Sequence, residues 1–139
     1  MSNENIRNVV NRIVKEVING KNLELVEELY ATSYVSHMLP PQMPNGPAGQ
    51  RQFFSYFFSA FPDFKLTFEQ ELLDGNHVVG RGYFTGTHKG EFQGIAPTGK
   101  RVKVGFMDIW RVEGNRLAEY WGSADMLGLL QQLGAIPAN

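Results

Sequence analysis

The first thirty residues carry hydrophobic positions at three- and four-residue steps, which is the period of an amphipathic helix. One such pattern covers residues 3–19 and stops at Gly20. A second pattern begins after Asn22, whose side chain suits the N-cap of a helix. We therefore expect two consecutive helices. Their hydrophobic positions are Ile6, Val9, Val10, Ile13, Val14, Val17 and Ile18 in the first, and Leu23, Val26, Leu29 and Tyr30 in the second.

A segment rich in proline and glycine, residues 38–49, comes next and is predicted to be a loop, because its prolines oppose regular helix. Near the end of this segment Pro47 suits the first turn of a third helix, which we expect to run to Ala60. Aromatic residues surround most of that helix, among them Phe53 and Phe57. Both of its faces are therefore expected to be covered, in part by a ligand or by a second subunit.

From Phe64 onward the hydrophobic period changes to two, which is typical of strands. Turn sequences separate the strands at residues 74–76 and 113–115, and both contain glycine beside asparagine. The last strand turns at residues 122–123 into a short helix that stops at Gly134. The predicted strands are Phe64–Leu72, His77–Thr87, Val102–Val112 and Arg116–Trp121.

Helices that precede an antiparallel sheet indicate an α+β fold. Three glycines lie within the second strand, where glycine often marks a bend, so we expect strong curvature of the sheet. The predicted architecture is a cone: a curved antiparallel sheet of about four main strands packed on the N-terminal helices, with a short C-terminal helix. We expect one domain over residues 1–139.

Alternation along the last two strands predicts which side chains share a face. Every second residue from Val102 to Val112 is placed on one face, and this set includes Asp108 and Trp110. Met107 and the residues two positions apart from it are placed on the other face. On the partner strand, Leu117, Glu119 and Trp121 are expected to point together.

Composition narrows the classes of function. Thirteen Lys and Arg residues against fourteen Asp and Glu residues leave no basic stripe for nucleic acid. The chain has no cysteine, and its three histidines show no metal-ligand spacing, so we expect no metal site. No apolar run reaches the ~20 residues of a membrane span, and no secretory signal is visible, so we expect a cytoplasmic protein without membrane contact. Ten Phe, five Tyr and two Trp suit an apolar pocket.

The candidate for chemistry is Asp125, at the point where the last strand passes into the final helix. Trp121 and Met126 would desolvate its carboxyl group and raise its pKa. The first turn of a helix, with Ser123 as N-cap, favours the charged form and would lower that pKa. We expect Asp125 to lie at the floor of an aromatic cavity, where it is a feasible general base.

Several segments resemble one family. They are residues 86–100 (GTHKGEFQGIAPTGK), residues 108–121 (DIWRVEGNRLAEYW), Asp125 and the LLQQLG motif, and they resemble the SnoaL-like polyketide cyclases. That family lies within the nuclear transport factor 2-like and ketosteroid isomerase-like superfamily. The resemblance implies a cone-shaped fold with a pocket between the curved sheet and the helices. It also implies that an acidic residue after the last strand, here Asp125, removes a proton from an activated carbon, and that His37 lines the pocket.

The first hypothesis is a cofactor-free cyclase that closes a ring in an aromatic polyketide or similar carbonyl compound by intramolecular aldol addition. Asp125 is the expected general acid/base and His37 assists it. The expected partner is a hydrophobic small-molecule substrate. The residues expected to bind it are Phe53, Phe57, Arg81, Tyr83, Met107, Trp110, Glu119 and Trp121.

Two alternatives stay open. The same pocket could add water to an epoxide, which requires two carboxylates beside the water, and Asp108 with Asp125 is the candidate pair. The fold could also serve as a non-catalytic module that binds hydrophobic molecules or dimerises. Under every hypothesis we expect a homodimer or a higher homo-oligomer that associates through the outer face of the sheet.

Overall fold

The computed structural model describes residues 2–137 and has the expected α+β architecture. The first predicted helix is present as an α-helix that continues as a π-helix up to Gly20, and the third helix has the predicted bounds. The helices are α1 (Asn3–Arg12) with its π-helical extension (Ile13–Asn19), a 3-10 turn (Leu23–Leu25), α2 (Val26–Leu29), α3 (Pro47–Ala60) and α4 (Met126–Gln132). The strands are β1 (Tyr30–Ser36), β2 (Lys65–Asp74), β3 (His77–Thr87), β4 (Arg101–Glu113) and β5 (Arg116–Ala124).

The sheet has the strand order β1-β5-β4-β3-β2 and contains one strand more than the pattern predicted. β1 pairs with β5 in parallel, whereas every other pair is antiparallel. Tyr30, expected on the second helix, instead adopts an extended conformation and begins β1. The tyrosine, serine and threonine residues that follow suit a strand, and pairing with β5 supplies their backbone hydrogen bonds.

Two bulges change the face on which side chains point. The register of β2 shifts between Phe68 and Gln70, so that Glu71 joins the inner face opposite Gly80. The pairing of β4 with β5 shifts between Arg111 and Val112, so that Leu117 points inward while Glu119 points outward. The expectation that Leu117, Glu119 and Trp121 share a face is therefore wrong, because an extra residue in one strand reverses the alternation beyond it.

The predicted inner face of β4 is confirmed, since its residues alternate strictly between buried and exposed from Arg101 to Trp110. The hairpin before β5 turns at Gly114 and Asn115, whose φ angles of 59° and 63° are those of a two-residue turn with both residues left-handed.

The helices pack on the inner face of the curved sheet and form one hydrophobic core with it. At Gly80 and Gly82 the backbone of β3 lies so close to residues of β2 that a Cβ atom would overlap them. These glycines allow the neighbouring strand and its side chains to approach. The sheet can therefore wrap around the helices as the wall of a cone.

Candidate functional site

A cavity of about 300 Å³ lies between the inner face of the sheet and α3. Its walls are mainly aromatic, and the loop after β1 adds Met38, Leu39 and Pro40. Rings of α3 pack in tilted and edge-on contacts with rings of the sheet, for example Phe57 with Phe84 at 6.2 Å between centroids. Such a wall suits a flat apolar ligand.

Asp108 is the polar residue of β4 that points into this cavity, and only 3% of its surface is exposed. The hydroxyl of Tyr120 on β5 donates to its Oδ2 atom at 3.2 Å. Its Oδ1 atom is buried without a hydrogen-bond partner among the described residues and faces Gly80, where a Cβ atom would lie 2.8 Å away. Half of the carboxyl group is therefore left without a donor.

Burial raises the pKa of Asp108 from its ordinary value of 3.8 to about 7. The Trp110 indole and the Tyr120 hydroxyl oppose this rise, although the indole N–H does not reach hydrogen-bond geometry. The negative charge of Glu71 adds to it. Burial also raises the pKa of Glu71 itself. An acid whose pKa is close to neutral is suited to accept a proton and to return it.

A second polar group lies in the same cavity. Tyr34 of β1 donates a hydrogen bond of 2.9 Å to Oε1 of Gln50 on α3, and both side chains are buried. Ser36, also buried, lies on the same face of β1 as Tyr34. The cavity therefore combines apolar walls with polar groups from four elements: α3, β1, β5 and β4.

Asp125 does not lie in the cavity. It is exposed and serves as the N-cap of α4, where its Oδ1 atom accepts a hydrogen bond from the Gly128 N–H at 2.9 Å. Its backbone N–H donates to Gly105, which belongs to the outer face of β4. The expectation that Asp125 lies at the floor of an aromatic hollow is wrong, because the short polar side chain is needed to cap the helix.

The carboxylate pair expected for water addition to an epoxide is also not formed. Asp108 points into the cavity, whereas Asp125 borders a shallow depression on the outer side together with Arg81 and Met107. The two carboxyl groups therefore do not face a common volume.

His37 lies on the outer side of the sheet, with 45% of its side chain exposed. Its Nε2 atom is 2.7 Å from a carboxylate oxygen of Glu119, and its ring stacks on Trp121 at 5.1 Å between centroids. Arg111 donates to the other oxygen of Glu119 at 3.0 Å. His37, Glu119 and Trp121 thus form a surface cluster away from the cavity, contrary to the expectation that they line one pocket with Asp125.

The remaining residues expected to bind substrate divide between the two faces of the sheet. Phe53, Phe57 and Trp110 line the cavity, and their contact with a substrate stays a prediction. Arg81, Tyr83 and Met107 lie on the outer face instead, where Arg81 donates to Gln70 and 61% of Met107 is exposed. They share alternate positions that point away from the core.

Sequence reasoning assigned Asp108 only to a secondary role and missed Tyr34, Gln50 and Tyr120. One signal was available for Asp108. On the face of β4 that alternates as Val102, Val104, Phe106, Asp108, Trp110 and Val112, it is the one polar residue. A carboxyl group in an otherwise apolar stripe indicates a cavity or a paired buried charge. No comparable pattern singles out Gln50, which lies in a helix with apolar residues on most sides.

Within residues 2–137 no three His, Asp or Glu side chains gather in a metal-binding arrangement. None of the helices in this part of the chain is long and apolar enough to cross a membrane.

The cone-shaped α+β fold, with an aromatic cavity between sheet and helices and an acid on its wall, defines a small-molecule pocket of the nuclear transport factor 2-like class. The chain belongs to the SnoaL-like polyketide cyclase family, whose model matches residues 8–133. A comparison with curated proteins finds no match.

Solved structures give the same assignment of the fold over nearly the whole chain. TsrD from Streptomyces laurentii is 26% identical, with a TM-score of 0.88 and coverage of 98% of this chain and 99% of that one. IdmH from Streptomyces antibioticus, a proposed polyketide cyclase, is 28% identical with a TM-score of 0.81, covering 93% and 98%. AclR from Streptomyces galilaeus, a proposed hydroxylase, is 25% identical with a TM-score of 0.86, covering 99% and 86%.

Proposed function

We propose that this protein is a cyclase that closes a ring in an aromatic polyketide or a similar carbonyl compound, with Asp108 as the general acid/base. The observation that carries the proposal is the burial of the Asp108 carboxyl group in the wall of an aromatic cavity, with one oxygen unpartnered. The family assignment and the likeness to IdmH, itself a proposed polyketide cyclase, agree with a reaction of this class.

The reaction is an isomerisation in which every atom is retained. The Asp108 carboxylate removes a proton from a carbon between two carbonyl groups, and the electron pair of the broken C–H bond is delocalised as an enolate. The enolate carbon then attacks a second carbonyl carbon of the same molecule and forms the C–C bond. The new alkoxide oxygen takes the proton back from Asp108, which returns to its starting state.

The cavity contributes mainly by holding the substrate in a folded conformation. A carbon acid flanked by two carbonyls spreads its negative charge over its own oxygens, so the protein has little charge to stabilise. Bringing the two reacting carbons together converts a rare encounter into a frequent one. Aromatic walls such as Phe53 and Phe57 restrict a flat substrate to few orientations.

Proton abstraction can be measured without knowing the natural substrate. Ethyl benzoylacetate, an aryl β-keto ester, exchanges its central C–H hydrogens with D₂O, and NMR gives the rate. The wild type is expected to accelerate this exchange, and Asp108→Asn to reduce the acceleration by about 100-fold or more, because the amide is not a base. Asp125→Asn is the matched control and is expected to retain the wild-type rate.

The comparison also separates catalysis from binding alone. If the wild type binds the ester yet gives no acceleration, the cavity is a binding module and the cyclase proposal fails. If exchange is lost in Asp125→Asn but not in Asp108→Asn, the base is Asp125, which borders the outer depression beside Arg81 and Met107.

A further inference from the structure

The polar groups of the cavity form a row that crosses adjacent elements. Asp108 on β4 bonds to Tyr120 on β5, Tyr34 on β1 follows in the strand order, and Gln50 on α3 ends the row. The proposed proton transfer uses only the Asp108 end. The Gln50 end has no role in that step, although its side chain is buried among aromatic rings with 6% exposed.

The orientation of the Gln50 amide follows from its neighbours. Ser36 Oγ accepts a hydrogen bond from the Met38 N–H at 3.2 Å, so its own hydrogen is free to point toward Tyr34. Burial raises the pKa of the Tyr34 hydroxyl, and the adjacent Ser36 hydroxyl partly opposes this rise. The Tyr34 hydrogen is then committed to Oε1 of Gln50 at 2.9 Å.

Because Oε1 of Gln50 accepts the hydrogen bond from Tyr34, the Nε2 group of the same amide is left to donate to another group. Within residues 2–137 it has no hydrogen-bond acceptor, and the side chain lines the cavity. An amide N–H that borders an apolar cavity without an acceptor is complementary to a ligand that brings one. In an apolar cavity the fitting acceptor is an uncharged oxygen, because a charged one would lose more hydration than one amide replaces.

We propose that Gln50, held by Tyr34, binds a carbonyl oxygen of the ligand and so selects aromatic ketones or esters over aromatic compounds without an acceptor. The inference deepens the proposed function, since a carbonyl held at Gln50 leaves another part of the same molecule to face Asp108. Selection by Gln50 is a property of binding, however, and requires no turnover.

Two probes of nearly identical shape test this selection. 2-Acetylnaphthalene carries a carbonyl oxygen where 2-isopropenylnaphthalene carries a CH₂ group. Quenching of Trp110 fluorescence reports binding, because this tryptophan lines the cavity. The quantity compared between variants is the ratio of the two Kd values, which cancels the difference in hydrophobicity between the probes.

Gln50→Met removes the amide donor and, unlike a buried glutamate that keeps its proton, introduces no O–H group that could replace it. We expect it to weaken binding of the ketone by about 3- to 10-fold and to leave the hydrocarbon unchanged, as for one lost hydrogen bond. Gln50→Leu is expected to act in the same direction. Gln52→Leu, an exposed position of the same helix, is the control and should keep the wild-type ratio.

The outcomes distinguish this inference from the proposed function. An unchanged ratio in Gln50→Met, or failure of the wild type to bind either probe, overturns the role of Gln50. Loss of proton exchange in Asp108→Asn bears on the proposed function alone, whereas a changed ratio in the Gln50 variants bears on carbonyl binding. If exchange is absent in the wild type but the ratio depends on Gln50, the cyclase proposal fails and carbonyl selection stands.

Discussion

The two carboxyl oxygens of Asp108 differ in their surroundings. Oδ2 accepts a hydrogen bond from Tyr120, whereas Oδ1 packs against Gly80 and has no donor among the described residues. A carboxylate normally needs several donors when it is buried, so this arrangement favours the protonated form. Burial raises the pKa of Asp108 to about 7, and the negative charge of Glu71 adds to this rise.

The raised pKa of Asp108 predicts how stability depends on pH. Between its ordinary value of 3.8 and about 7, the folded protein keeps a proton that the unfolded chain releases. The unfolded state then binds fewer protons, so stability falls as pH rises through this window. The total loss is on the order of 4 kcal/mol, at 1.36 kcal/mol per pKa unit. Asp108→Asn lacks this titration.

Urea unfolding of both proteins at a series of pH values measures this effect. The free energy of unfolding of the wild type, relative to Asp108→Asn, is expected to be largest near pH 4 and to decline until about pH 8. Titrating groups that do not interact with Asp108 are common to both proteins and cancel in the difference. A difference that is constant with pH would show that Asp108 has an ordinary pKa.

At the scale of elements, the sequence predicts the regular alternation of side chains between the two faces of a strand. It does not predict the bulges that interrupt this alternation. The pattern of β4 gave its inner face, and Pro47 marked the start of α3. The bulge after Phe68 brought Glu71 to the inner face, and the bulge beside Val112 turned Trp121 outward. A bulge depends on how a neighbouring strand pairs, so no local sequence pattern specifies it.

Only part of the candidate site can be predicted from the sequence, because some of its contacts join elements that are distant along the chain. Phe53 and Phe57 follow from an aromatic helix that must face a core, and they line the cavity. Its place after the last strand favours Asp125 as the acid, but in the structure this residue caps α4. The partnership of Tyr34 with Gln50 joins a strand to a helix across sixteen residues of chain, which spacing alone cannot predict.

Side chains of β2 and β4 lie close to the backbone of β3 at Gly80, so we expect that a larger residue at this position is not tolerated. In Gly80→Ala the new Cβ atom would overlap Phe68 and lie 2.8 Å from Asp108 Oδ1. We expect destabilisation by about 1–3 kcal/mol, as for overpacking, with impaired proton exchange. Thermal unfolding and the exchange assay measure the two effects.

Gly105 on β4 is the matched control for this substitution. It faces outward, and the nearest atom to its new Cβ, the Gly82 carbonyl oxygen, lies 3.9 Å away. Gly105→Ala is expected to be neutral or to stabilise the strand by about 0.5–1 kcal/mol. Equal effects of the two alanines would contradict a tight inner face around Asp108.

At the scale of the whole molecule, the two faces of the sheet differ in chemical character. The inner face bears the cavity, whereas the outer face exposes Met107 and Ile109 with Trp121 nearby. Charged groups such as Arg111 and Glu119 lie at the edge of this apolar area. An exposed apolar area with a polar rim is typical of association surfaces.

A single substitution that introduces a charged residue on the outer face tests the expected homodimer. Met107→Glu is expected to shift a dimer to the monomer in sedimentation velocity, because burial of a carboxylate costs more hydration than its cross-strand neighbour Arg81 restores. Leu127→Glu on α4 is the control, since Leu127 and Met107 are each 61% exposed. A wild type that sediments as a monomer, or a dimer that survives Met107→Glu, would rule out this interface.

The pH dependence of proton exchange tests the role of the buried acid most directly. If Asp108 accepts the proton, the protein-catalysed exchange of ethyl benzoylacetate should rise with pH, reach half its maximum at about 7 and then level off, because only the carboxylate is a base. Asp108→Asn should lack this rise. A wild-type midpoint near 4, or the same profile in Asp108→Asn, would contradict the assignment of Asp108 as the base.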